Sequence, residues 1–100
     1  MTFNVRYTRQ AREDLLRLFQ YLLEIEPASA RAARSAIGPA TEILQEFPFT
    51  CRKAETTNSL IRELIIPIGY AGYVALFEIE NSETVTILAI RHQREDDYHR

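Results

Sequence analysis

The ten residues from Ile90 to His99, Ile-Arg-His-Gln-Arg-Glu-Asp-Asp-Tyr-His, close an apolar stretch with two histidines, two arginines, a tyrosine and three carboxylates. With Arg62 upstream, these types could supply what cleavage of an RNA strand by its own 2′-hydroxyl needs. That chemistry takes a base, an acid for the leaving oxygen and a cation for the charged intermediate. Arg62, Arg91, His92 and Tyr98 are therefore the candidate catalytic set. Arg62, Arg91, His92 and Arg94 are the candidates for touching a macromolecular target. Against catalysis, residues 91–100 carry three arginines and three carboxylates, the balance of a solvated turn that pairs with itself. Both readings stay open on residue types alone.

Other chemistries find no support. His92 and His99 lack a second cysteine or a His-Glu-x-x-His frame, so no metal site is expected. Gly69 and Gly72 make half of a dinucleotide fingerprint, inside an apolar hairpin pattern where they read as turn residues. No cofactor is implied. The single cysteine, Cys51, excludes an internal disulfide and suits a reducing compartment with an idle thiol. A charge at Arg6 precedes any apolar run, unlike a secretory signal. The longest apolar run, 64–77, is interrupted by Pro67, Gly69 and Gly72, which reads as two strands and a turn rather than a membrane span. A cytoplasmic location is expected. The net charge is −2, whereas proteins that grip nucleic acid through phosphates usually carry a positive excess on one face.

The elements that must position these residues follow from periodicity. A chain of 100 residues has room for one domain, 1–100, with one core. Phe3, Val5 and Tyr7 alternate with polar residues as in a half-buried strand. Thr8 can cap a helix running from Arg9 to Ile25, whose inner stripe is Ala11, Leu15, Leu18 or Phe19, Leu22 and Ile25. A second helix is predicted from near Ser29 to Phe47, kinked or broken at Gly38-Pro39. The small residues Ala33, Ala36 and Ala40 would let the two helices approach closely. Residues 48–59 read as a loop. Three strands follow, Leu60 to Ile68, Tyr70 to Glu80 and Thr84 to Arg91, the last two joined by Asn81-Ser82-Glu83. The predicted order is βααβββ, an antiparallel helical hairpin packed on a small, mostly antiparallel sheet, which is α+β. Leu15, Phe19, Leu22, Ile43, Phe47, Leu64, Phe77, Ile87 and Leu88 are the predicted core. Leu16, Tyr21 and Leu23 exceed the inner helix stripe, and Phe3 and Val5 sit on a strand placed at a sheet edge; such surfaces invite a partner.

Arg62-Glu63-Leu64, Tyr73 to Phe77 in the central strand, and Ile90-Arg-His-Gln-Arg-Glu-Asp96 stand in this order over a chain of matching element order. In these pieces, across residues 3–98, the sequence resembles the RelE/ParE superfamily of type II toxin–antitoxin toxins. The resemblance implies a toxin neutralised by a cognate antitoxin whose C-terminal segment wraps it, giving a hetero-oligomer that reaches operator DNA only through the antitoxin. Phe3, Val5, Leu16, Tyr21 and Leu23 are then the antitoxin-binding candidates. In this superfamily, members that cut mRNA on the ribosome carry several cations on the sheet, including an arginine after the central-strand tyrosine. Here that position is Val74, and Lys53 is the sole lysine. The resemblance therefore points to the ParE-like branch, whose target is DNA gyrase. A ribosome-dependent mRNA endonuclease and a binding-only family member are the alternatives.

Overall fold

The computed structural model describes residues 2–68 and 71–94. A first strand, β1 (Asn4–Tyr7), runs into helix α1 (Arg9–Ile25). Thr8 caps that helix in an extended conformation, its Oγ1 accepting from the Ala11 N–H at 3.1 Å. Ala11, Leu18 and Leu22 form the buried stripe, and Asp14 is buried among them. Proline disfavours helical backbone in the residue before it, so Glu26 is extended (φ −156°, ψ 95°) and forms a one-residue corner. Helix α2 (Pro27–Glu46) starts at once, with Pro27 in its first turn where a missing N–H costs nothing. That start is two residues ahead of the one expected at Ser29. The break expected at Gly38-Pro39 is not found, and α2 is one continuous helix. Pro39 and Ser35, whose carbonyl loses its donor, are both exposed, so water can satisfy the gap.

A 3-10 turn (Pro48–Thr50) leads to β2 (Arg52–Lys53), β3 (Ile61–Ile68), β4 (Ala71–Ile79) and β5 (Thr84–His92). The sheet order is β1-β5-β4-β3-β2, with β1 parallel to β5 and the other pairs antiparallel. The order is therefore βααββββ, one strand more than the pattern predicts. β2 lies inside the expected 48–59 loop. It has two exposed residues, too few to show a period, and exists through pairing of Arg52 with Glu63 and Lys53 with Arg62.

Both helices cover one face of the sheet. Leu18, Leu22, Ala30, Ala33, Ala40 and Leu44 meet Leu64, Ile66, Tyr73, Phe77, Ile87 and Ile90 in one cluster. Of the expected core, Leu22, Leu64, Phe77 and Ile87 are buried, and Leu15 and Phe19 pack on its rim. Ile43 and Phe47 are not core residues, being 41% and 62% exposed. Phe47 ends α2 with non-helical backbone, and Leu44 takes the inward position. Leu88 is half-buried and outside the cluster, because it is the extra residue of a β-bulge. Leu76 pairs with Ala89 and Phe77 with Ile87, skipping it. No helix among the described residues is long and apolar enough to cross a membrane.

Candidate functional site

Alternation along paired strands assigns each side chain to a face. Leu64, Ile66, Tyr73, Phe77 and Ile90 point to the helices, and so by register does His92, opposite Tyr73. Glu63, Val74 and Arg91 belong to the opposite, helix-free face, with Val74 beside Arg91 in the ladder. There Glu63 lies between two arginines. Its Oε1 is 3.1 Å from Arg52 Nε and its Oε2 is 4.0 Å from Arg91 Nη2. The Arg52 side chain is more than half exposed, so that pair adds little stability, whereas Glu63 and Arg91 are largely shielded. Arg91 Nη1 also donates to the carbonyls of His92 (3.3 Å) and Gln93 (3.4 Å). Val74 is buried.

His92 sits edge-on to Tyr73, ring centroids 5.2 Å apart. Its Nδ1 accepts from the Arg94 N–H at 3.0 Å, which leaves Nε2 to carry the ring proton. The Arg94 side chain is exposed. Tyr98 lies outside the described residues. Arg62 has a local task on the helix side of β3. Its Nη1 donates to the carbonyls of Phe49 (3.0 Å) and Cys51 (2.9 Å), and the guanidinium stands 5.4 Å from the centre of the Phe49 ring. It fastens the 3-10 turn to the sheet. Burial pushes the Cys51 thiol up, with the nearby Arg62 charge only partly opposing this. The thiol therefore stays protonated at neutral pH and is a poor nucleophile. Arg62 and Arg91 thus occupy opposite faces, and His92 shares the helix side with Arg62 at the other end of the ladder.

The expected partner surface divides as well. Leu16, Tyr21 and Leu23 are all more than half exposed. At about 100° per residue, Leu16 and Leu23 share a flank of α1 while Tyr21 lies roughly 140° round from Leu16, beside the equally exposed Ile25. Leu16 and Leu23 continue the apolar stripe beyond Phe19. Next to it is a shallow, wholly apolar crevice between both helices and the ends of β3, β4 and β5, with room for little more than a water molecule. Phe3 and Val5 flank and enter the edge strand β1 and pack on the rim of the core. Among the described residues no group of three or more His, Cys, Asp or Glu could hold a metal ion.

Two residues escaped the sequence reading. Glu63 sat inside a quoted motif with no role, and only the register shows that it bridges Arg52 and Arg91. Asp14 interrupts an otherwise apolar helix stripe, and that interruption was the available signal.

Comparison with known proteins agrees with this architecture. The family described as ParE toxin of type II toxin–antitoxin system, parDE, matches residues 5–97. Toxin RelE1 of Caulobacter vibrioides is 32% identical over 92 residues, covering 92% of this chain and 95% of the relative. A chromosomal ParDE TA system from P. aeruginosa has a chain of similar fold, with a TM-score of 0.65 at 21% identity over 91% of this chain and 96% of that one. A family match across nearly the whole sequence, on a helical hairpin packed against a five-stranded mixed sheet, places the chain in the ParE toxin family of type II toxin–antitoxin systems.

Proposed function

We propose that this chain arrests growth by inhibiting DNA gyrase and is released from that role when its antitoxin covers it. The observation that carries the reading is the charge of the helix-free sheet face. By register that face holds three arginines, Arg6, Arg52 and Arg91, against two glutamates, Glu63 and Glu78. Glu63 pairs with two of those arginines. Binding and cutting a polyphosphate relies on cations placed for phosphate oxygens. At the position beside Arg91 where the nuclease branch carries an arginine, this chain has buried Val74. A protein target fits such a face better than RNA. Arg91 is its target contact, with Arg94 following in the turn beyond the strand, while His92 lies on the helix side. Action on gyrase would place the chain in the cytoplasm.

Membership of the family implies an antitoxin partner. We assign its docking to α1 and the sheet edge. The apolar crevice and Leu16 and Leu23 form one surface suited to an amphipathic helix, and the outer edge of β1 can accept a strand. Expression without the antitoxin should produce filamentation and a DNA-damage response while bulk mRNA stays intact. Site-specific mRNA cleavage without DNA damage would overturn the gyrase reading in favour of ribosomal action. Co-purification with the product of the adjacent reading frame tests the partner assignment.

A further inference from the structure

Whether Arg91 or His92 reaches the helix-free face is decided by a bulge. The core positions of β5 are Val85, Ile87 and Ile90, a step of two and then a step of three. The longer step comes from Leu88, which the pairing with β4 skips. A strand alternates strictly, and a slip of one residue moves every later side chain to the other face. Without the bulge, residues 89 and 91 would point under the helices and His92 would point away from them.

Helix α1 and its cap Thr8 hold this bulge at three points. The Thr8 N–H donates to the Ile87 carbonyl at 3.0 Å. Thr8 Oγ1 donates to the Leu88 carbonyl at 2.9 Å, and Asp14 Oδ2 accepts from the Ile90 N–H at 2.8 Å. Asp14 is buried, and its other oxygen accepts from Gln10 Nε2 at 2.8 Å, with Arg17 Nη2 at 3.9 Å. A carboxylate taken out of water is stable only when bonded in this way, and its bond to a backbone amide is correspondingly strong. An apolar residue would fill the same stripe position without that requirement, so the carboxylate is tied to the amide it receives.

We propose that Asp14 is the positioning residue of the target-facing surface. From α1 it locks the β5 bulge, which fixes Arg91 on the helix-free face and His92 beneath the helices. The proposal rests on the reading of Arg91 as a target contact. Asp14 itself touches no target.

The test compares wild type with R91A, D14N and D14L in growth arrest, in affinity for the antitoxin and in amide exchange at Ile90. Asparagine keeps an acceptor for the Ile90 amide and leucine does not. D14N should keep growth arrest. D14L should weaken it by about tenfold to a hundredfold, the scale of a misplaced contact, while antitoxin affinity stays within about threefold because Leu16 and Leu23 are untouched. The Ile90 amide should exchange slowly in wild type and D14N and fast in D14L. If R91A arrests growth as wild type does, the reading of Arg91 fails, and Ile90 exchange alone then judges the clamp. If R91A is inactive while D14L arrests growth fully, the positioning role is wrong. Should D14L not fold, a fast-exchanging Ile90 amide in wild type would overturn the proposal, and a slow one that speeds up in Thr8→Ser would not occur under it, since serine keeps the hydroxyl.

Discussion

Phe47 and Phe77 carry the same ring into opposite surroundings. Phe77 is fully buried beneath the helices, whereas Phe47 lies in solvent at the end of α2. Phe77→Ala should cost roughly 3–5 kcal/mol, because it removes buried ring surface and leaves a cavity. Phe47→Ala should cost less than about 1 kcal/mol, as surface changes do. Urea denaturation of both variants checks this, and similar losses at the two sites would contradict the assigned faces. At Cys51 the raised thiol means that the folded chain holds its proton more tightly than the unfolded chain does. The resulting contribution is complete below the unfolded thiol's pKa and is lost as pH rises through the folded one. The stability difference between wild type and C51S should therefore shift against wild type in that alkaline window and be flat below it. Periodicity identified Leu22, Leu64, Phe77 and Ile87 as core. It misplaced Phe47 because the residue closing a helix leaves the helical backbone, and it misplaced Leu88 because a bulge interrupts the alternation it relied on.

At the scale of elements, α1 was legible to the residue, since Thr8 as a cap and Pro27 as a stop are local chemistry. β2 was not legible, because two exposed residues become a strand only when β3 arrives beside them. The continuity of α2 was not legible either, because whether Pro39 breaks a helix depends on its facing water. Gly38 lies in that helix with open space where a Cβ would stand. Gly38→Ala should accordingly raise stability by about 0.5–1 kcal/mol by favouring helix and restricting the unfolded chain. A fall in melting temperature would show that the backbone there is strained. For the partner surface, replacing Leu16 and Leu23 together by serine should weaken antitoxin binding by about tenfold or more, the effect of losing buried apolar anchors. Their exposure means that the thermal stability of the isolated chain should hardly change, and calorimetry beside a binding titration separates the two effects.

In the whole molecule the helices cover one face of the sheet and leave the other open, and under the proposed function the antitoxin and the target would address different surfaces. α1 links them, carrying Leu16 and Leu23 outward and Asp14 inward to the β5 bulge. The charge of the helix-free face, with Glu63 between Arg52 and Arg91, is what separates a gyrase-directed toxin from an RNA-cutting one in this account. The most direct measurement is supercoiling of relaxed plasmid by purified gyrase, titrated with the purified chain and repeated with R91A and with added antitoxin. Inhibition by the wild-type chain, weakened in R91A and reversed by antitoxin, is the predicted result. Full supercoiling at every concentration of the chain, together with site-specific mRNA cleavage by the same preparation in a translating extract, would contradict it.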